Sequence, residues 1–193
     1  MGGITKTDIG SVFISKADGE KLLSLGDQRV TVGQTQWEDG ALTMSDFSSW
    51  GVTLDLKLKP EIAAPGGNIY SAVLNNGYAN MSGTSMASPH MAGLSALAKQ
   101  YIMSDSKFAS FSEGEKINLV SAMLMATAEP MARGENSYYS PRQQGAGLAN
   151  IQAVASAKAY LTVEGADPAK PKAELGDGTG PFSFTFTVHN LTG

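Results

Sequence analysis

The spacing of apolar residues predicts three helices in the middle of the chain. The longest covers about residues 85–101, and its apolar positions lie on almost every side. A helix that is apolar all round is typical of a buried position, so we expect it to be central. A second helix opens with Ser112 and Glu115 in a capping-box pattern and ends before Pro130. A third, shorter helix covers about residues 149–157.

Short runs and period-two alternation predict strands on both sides of these helices. Residues 54–59 alternate and stop at Pro60, which predicts a strand or an extended approach. Residues 69–74 predict another strand, and the Asn-Asn-Gly sequence at 75–77 predicts its turn. Residues 182–188 alternate Phe or Val with Ser or Thr, which predicts a β-sandwich strand with its aromatic side chains turned inward.

These elements divide the chain into three zones. Strand and helix patterns within residues 12–32 form a small α/β segment, which we assign to a first zone, 1–35. The zone 36–160 holds most of the apolar core, and the zone 161–193 holds a Pro- and Lys-containing linker and the alternating strand. A single strand does not fold alone, so both ends of the chain are expected to belong to neighbouring domains. The fold class predicted is α/β.

Composition excludes several classes of function. The chain of 193 residues has 14 Lys or Arg and 18 Asp or Glu, a formal net charge of −4, and its basic residues are scattered. This charge does not favour nucleic acid as a partner. There is no Cys and there are only two His, so no thiolate or His-rich metal site is expected. Asp167, Glu174 and Asp177 do not fit the spacing of a calcium loop. We therefore predict neither a metal nor a cofactor.

Segments that address a protein to a membrane are not predicted either. No stretch approaches the roughly 18 consecutive apolar residues that a spanning helix needs. The residues after Met1 do not have the apolar core of a signal peptide. An export signal, if the protein has one, is expected on sequence outside this chain.

The candidate chemistry lies in residues 80–93, Asn-Met-Ser-Gly-Thr-Ser-Met-Ala-Ser-Pro-His-Met-Ala-Gly. Gly83 allows a tight turn out of an extended segment, and Ser85 follows at the first turn of the long helix. Backbone amides at such a helix end are unpaired and the helix dipole is positive there. A hydroxyl at Ser85 could attack a carbonyl while the backbone N–H of the same residue helps to hold the oxyanion that forms.

This segment resembles the nucleophile motif of the subtilisin-like serine peptidases, G-T-S-x-A-x-P-H. Its six fixed positions match by chance in fewer than about one chain in ten thousand of this length, so the signal is specific. Residues 47–51 and 59–66 resemble the segments that precede the nucleophile in that family, and residues 140–148 resemble the end of its catalytic domain. Together they resemble the cell-envelope proteinase and C5a-peptidase-like subgroup.

The resemblance implies both a fold and an activity. It implies the C-terminal part of a subtilisin-like parallel-sheet domain at 36–160, with a buried central helix. Residues 1–35 would be the end of a protease-associated insert, and 161–193 a linker and the first strand of a fibronectin-III-like domain. The implied activity is that of a serine endopeptidase that hydrolyses extracellular proteins, with Ser85 as the acyl-forming nucleophile. The implied location is extracellular or at the cell wall.

A serine nucleophile needs a general base, and the sequence offers none in a suitable place. His90 is five residues after Ser85, so on a helix it is turned about 140° away and lies about 7.5 Å along the axis. His189 lies on the predicted strand of the next domain, and Asp46 is better explained as a turn or capping residue. The Asp, His and oxyanion Asn motifs of the family do not occur here. We expect the isolated chain to be inactive, with the N-terminal part of the catalytic domain as its partner.

Three alternatives remain at the level of sequence. The chain could be a scaffold or binding module that keeps the fold without the chemistry, although an intact Gly83-Thr84-Ser85 argues against decay. It could be one half of a split protease whose other half is a separate polypeptide. It could also fail to fold alone, because its central helix would expose apolar surface.

Overall fold

The computed structural model describes Glu20, Ser24 and residues 42–166, 170–176 and 178–192. The chain divides into two compact units, residues 1–41 and 42–193. In the first unit the amide of Ser24 donates a hydrogen bond to the carbonyl of Glu20 over 3.1 Å. Apart from these two residues, the elements predicted within residues 12–32 lie outside the described part of the chain. The remaining elements all belong to the second unit.

Four α-helices form the helical part of the second unit, and the three predicted helices are confirmed. They are α1 (Thr84–Ser104), α2 (Glu113–Ala126), the one-turn α3 (Pro141–Gln144) and α4 (Ile151–Ser156). The predicted capping box at α2 is present, since the Glu115 amide donates to Ser112 Oγ and the Ser112 amide donates to the Glu115 carboxylate.

The core lies where α1, α2 and α4 meet. Nine buried residues form it: Ala98, Ile102, Phe108, Leu119, Ala122, Met123, Leu124, Val154 and Tyr160. Phe108 reaches this core from a short 3-10 helix (Ser106–Phe108) that follows α1. The C-terminal half of α1 is therefore fixed on three sides by apolar contacts.

In the described part of the chain, six strands form three antiparallel pairs. The pairs are β1 (Ile69–Val73) with β2 (Gly77–Met81), β3 (Ala132–Gly134) with β4 (Ser137–Tyr138), and β5 (Ala159–Val163) with β6 (Phe186–Asn190). The strand predicted at 69–74 and its Asn-Asn-Gly turn are confirmed, and the sequence analysis missed β2. Within the described residues, the expected parallel sheet is reduced to one isolated parallel bridge between Ala63 and Leu148.

The prediction of a strand or extended approach over residues 54–59 is wrong. These residues form a turn in which the Thr53 amide donates to the Lys57 carbonyl over 3.0 Å. Leu56 has φ 59°, in the left-handed region, and Leu54 is fully exposed. The alternation here does not reflect burial, because the turn has no partner strand on which one face could pack.

Two predictions of burial are also wrong. Among the described residues, no element encloses α1 on every side: Thr84, Ser85 and Ser88 in its first turns are exposed, and Leu97 in its C-terminal half is 50% exposed. The strand near the C-terminus begins at Phe186, later than predicted, and Phe182, Phe184 and Phe186 are exposed and not turned inward. In both cases the apolar pattern is real, but the described part of the chain holds only one of the two layers that would bury it.

Candidate nucleophile site

The turn that places Ser85 lies just before α1 and is made at Gly83. Gly83 is the N-cap of α1, with φ 157° and ψ 164°, a combination that is almost confined to glycine. Its carbonyl accepts hydrogen bonds from the amides of Met86 (3.0 Å) and Ala87 (3.4 Å). The chain thus passes from the extended β2 directly into the first helical turn, and Ser85 stands there as an exposed second residue of α1.

A second backbone segment supports this turn from below. The amide of Gly83 donates to the carbonyl of Gly66 over 2.8 Å. A Cβ atom added at Gly66 would lie 2.7 Å from the Gly83 carbonyl oxygen and 3.0 Å from the Ala87 Cβ. Only a glycine therefore fits under the nucleophile turn without a shift of the backbone.

The electrostatics at this helix end favour a negative charge. No side chain caps the N-terminus of α1, and its first turn contains no acidic residue. The first amides of a helix have no helical acceptor and carry the positive end of its dipole. Pro89 is the sixth residue of α1 and has no N–H, so the carbonyl of Ser85 does not receive the usual helical hydrogen bond. The unpaired amides and the helix dipole, and not the free Ser85 carbonyl, allow this end of α1 to hold an oxyanion beside the Ser85 hydroxyl.

A cleft of about 220 Å³ opens beside Ser85. One wall is the β1–β2 hairpin, in which Ile69 stands opposite Met81, and the other is the first turn of α1. The lining is mostly apolar and consists of Ile69, Ser71, Ala72, Val73, Ala79, Met81, Ser85, Met86 and Pro89. An extended apolar chain or side chain could contact Ser85 through this cleft.

The two histidines lie on two different elements. His90 lies on α1 five residues beyond Ser85, on a different side of the helix. His189 lies on β6, where its ring stacks on Tyr160 with centroids 4.4 Å apart and its Nε2 is 2.7 Å from Thr162 Oγ1. In the described ranges we find no cluster of three or more His, Cys, Asp or Glu that could hold a metal ion.

The sequence analysis missed a second polar cluster, which is centred on Glu61. This carboxylate pairs with Lys59, Lys170 and Lys172. Burial alone would raise the pKa of Glu61, but hydrogen bonds from the three ammonium groups outweigh it and lower the pKa to about 2. More than a hundred residues separate Glu61 from two of its partners, so no local pattern could have predicted the cluster.

Comparison with known proteins identifies the family. Residues 19–163 match the Subtilase family, peptidase S8. A C5a peptidase of Streptococcus pyogenes serotype M1 is 37% identical over 185 residues, which cover 93% of this chain and 15% of that protein. A PII-type proteinase of Lactococcus lactis subsp. cremoris is 43% identical over 164 residues, which cover 77% of this chain and 9% of that protein.

A solved structure, that of the Clostridium perfringens CspB protease, is 29% identical and matches 57% of this chain and 22% of its own. Its TM-score of 0.44 is too low to carry a fold argument.

The chain belongs to the subtilase family. This confirms the resemblance to subtilisin-like serine peptidases, and it supports the coarse prediction of a mixed α/β fold of that type. The chain spans 15% of the length of the C5a peptidase and 9% of the length of the PII-type proteinase. No helix in the described ranges is long and apolar enough to cross a bilayer.

Proposed function

We propose that this chain supplies the nucleophile of a subtilisin-like serine endopeptidase, and that the nucleophile is Ser85. Its Oγ attacks the carbonyl carbon of a peptide bond, and the hydroxyl proton passes to a general base. The base then returns the proton to the leaving amine as the C–N bond breaks, and water hydrolyses the acyl-enzyme. The Ser85 amide, at the positive end of α1, donates to the oxyanion.

The observation that carries this proposal is the position of Ser85. It is exposed at an N-terminus of a 21-residue helix that no side chain caps. A capping side chain or a first-turn acid would compete with the oxyanion for the same amides. The family to which the chain belongs, and relatives named as a peptidase and a proteinase, support protein as the substrate class.

The general base must come from outside the described residues. We propose the N-terminal part of the same catalytic domain as its source, carrying the Asp, the His and the oxyanion Asn. The exposed apolar side of α1 and the cleft beside Ser85 support this, because such surface in a folded protein is normally covered. The chain alone is then expected to have no peptidase turnover.

The flanking zones and the location of the protein are parts of the same proposal. Residues 1–35 would end a protease-associated insert, and 161–193 would begin a fibronectin-III-like domain. The exposed aromatic side chains of 182–186 support the second assignment, since the second sheet of a sandwich would cover them. A peptidase of this kind would act on proteins outside the cell or at the cell wall.

The experiment uses the complete reading frame that contains this chain, together with the 193-residue chain alone. A fluorophosphonate probe reports the activated serine, and casein cleavage reports turnover. In the complete protein, Ser85→Ala should abolish labelling and lower casein cleavage by at least about a thousandfold. Ser88→Ala, a serine one helical turn further on the same helix, is the matched control and should change cleavage less than about twofold.

Two outcomes would contradict the proposal. Casein cleavage that survives Ser85→Ala would remove Ser85 from the reaction. Cleavage by the isolated chain, lost on Ser85→Ala, would keep the nucleophile but refute the external base.

A further inference from the structure

The Glu61 cluster joins two parts of the second unit that are far apart in sequence. Glu61 Oε1 accepts from Lys170 Nζ at 2.6 Å and from Lys172 Nζ at 3.0 Å, and it pairs with Lys59 Nζ at 3.1 Å. Lys170 and Lys172 belong to the segment 170–176, whereas Glu61 ends the loop 57–61, which follows the turn at 53–57. A single carboxylate is thus shared between the loop and the segment.

Lys172 links the same loop and segment through a more deeply buried side chain. Its side chain is only 6% exposed, and its ammonium also donates to the Leu58 carbonyl at 2.8 Å and pairs with Glu174. Glu174 in turn accepts from the Leu58 amide at 2.8 Å. Both backbone polar groups of Leu58 are therefore satisfied by side chains of the segment, which lies along the loop as a strap.

The strap is continuous with the β5–β6 pair. The carbonyl of Lys170 accepts from the amide of Val163, the last residue of β5, and the Glu164 amide donates to the carbonyl of Thr185, just before β6. The opposite end of this pair is held by apolar contacts, where Tyr160 and Leu191 pack on the core. The β5–β6 pair therefore has an apolar attachment at one end and an ionic attachment at the other.

The two attachments respond differently to the loss of one charge. Without the Glu61 carboxylate, Lys170 keeps no ion-pair partner among the described residues, and Lys172 keeps only Glu174. A largely buried ammonium group without a counter-charge, here that of Lys170, is costly, and a peripheral segment relieves that cost by opening into water. The backbone of Glu61, whose carbonyl accepts from the Ala146 amide at 2.9 Å, does not depend on the side chain.

We propose that the Glu61 carboxylate is the contact that holds this strap, residues 170–176, against the loop 57–61. Without this carboxylate, the two remaining contacts between the strap and Leu58, which involve Lys172 and Glu174, do not keep residues 170–176 closed on the loop 57–61. Its loss therefore frees the strap and the adjacent end of the β5–β6 pair while the α1–α2–α4 core stays folded. The strap thereby determines whether the β5–β6 pair moves together with the α1–α2–α4 core. This inference does not rest on the proposed peptidase activity.

Trypsin offers a direct readout on the 193-residue chain. Of the two strap lysines, Lys170 precedes Pro171 and resists the enzyme, whereas the bond between Lys172 and Ala173 is a normal site. Residues 173–193 contain no Lys or Arg, so one cut releases a single diagnostic fragment that mass spectrometry quantifies. In the wild type this bond should be protected, and Glu61→Gln should speed its cleavage about tenfold or more.

The matched control is Asp55→Asn, which removes the carboxylate of an exposed ion pair with Lys57 in the neighbouring turn. It should change the rate at Lys172 less than about twofold, because exposed pairs contribute little. Lys170→Gln tests the strap from its other side and should also speed the cut. Circular dichroism of each variant checks that the helical core is retained.

Three results would overturn the proposal. The first is rapid cleavage after Lys172 in the wild type, which would mean that the strap is not closed. The second is an equal rate in wild type and Glu61→Gln. The third is a loss of helical signal in Glu61→Gln, combined with intact helices and a protected Lys172–Ala173 bond in Lys170→Gln. That combination would mean that Glu61 stabilises the helical core and does not specifically hold the strap. None of these readouts uses peptidase activity, so the proposed function is tested separately.

Discussion

The two halves of α1 have very different surroundings. In the C-terminal half, Ala98 and Ile102 are fully buried against α2 and α4. In the N-terminal half, Ser85 and its neighbours are exposed or half-buried, and the supporting contact is a backbone hydrogen bond between Gly83 and Gly66. One end of the helix is an anchor, whereas the other presents unpaired amides and a hydroxyl beside an open cleft.

This difference separates what stabilises the chain from what could make it react. Apolar packing at one end fixes the helix axis, so the other end can remain open without losing its position. Substitutions in the anchor should therefore change the free energy of unfolding, and substitutions under the nucleophile turn should change local geometry. Two experiments divide the two halves in this way and a third tests the strap, taken from the largest expected effect to the smallest.

The largest effect is expected from Ile102→Ala. The side chain is fully buried in the core cluster, so truncation should lower the free energy of unfolding by about 3 kcal/mol. Leu97→Ala on the same helix is the matched control, and because Leu97 is 50% exposed its cost should stay below about 1 kcal/mol. Urea unfolding followed by circular dichroism measures both. Equal costs would mean that the helix is not anchored at its C-terminal end.

A smaller effect on stability is expected from Gly66→Ala, under the nucleophile turn. The new Cβ would meet the Gly83 carbonyl at 2.7 Å, and relief of that overlap should cost about 2 kcal/mol. Labelling of Ser85 by the fluorophosphonate probe in the complete protein should fall as well. Gly67→Ala is the control, since its Cβ would meet only Ser45 Oγ at an ordinary 3.4 Å. If both variants label like the wild type, Gly66 does not position the turn.

The smallest effect is expected at low pH, where the ion pairs between Glu61 and the strap are lost. The strap lies outside both halves of α1. The pKa of Glu61 is lowered from 4.5 to about 2, so its charged form stabilises the fold above pH 4.5 and that contribution is lost as the pH falls toward 2. After allowance for solvent screening, the loss should be about 1 to 2 kcal/mol.

Urea unfolding of wild type and Glu61→Gln at pH 6, 4 and 3 measures this loss. The wild type should lose more stability than the variant, because the variant has no carboxylate to protonate. A constant difference between the two proteins over this range would show that the acid response comes from other groups.

Local sequence patterns predicted most helices, strands and turns correctly, but they did not predict which faces of these elements are buried. The capping box of α2 and the Asn75-Asn76 turn follow from short-range chemistry, and both are present. Residues 54–59 have the same alternation as a half-buried strand, yet they form a turn, because alternation alone does not specify a partner strand. The burial of α1 and of the Phe residues at 182–186 depends on layers that no pattern within these segments encodes.

The candidate site divides in the same way. The position of Ser85 at the start of α1 was predictable, since Gly83 and the helical pattern that follows are adjacent in sequence. The support from Gly66, the missing hydrogen bond at Pro89 and the Glu61 cluster were not predicted. Each depends on a contact between distant segments or on the precise residue at which the helix begins.

The exposed Phe residues before and within β6 have a consequence for the chain in solution. Residues 181–188 carry no charge and alternate aromatic and hydroxyl side chains, and their last three residues belong to β6, whose pair has no third strand among the described residues. Such a segment is a template for stacking of identical chains into dry, interlocked sheets. We therefore expect the surface around β6 to limit the solubility of this chain, although that surface has no part in the proposed chemistry.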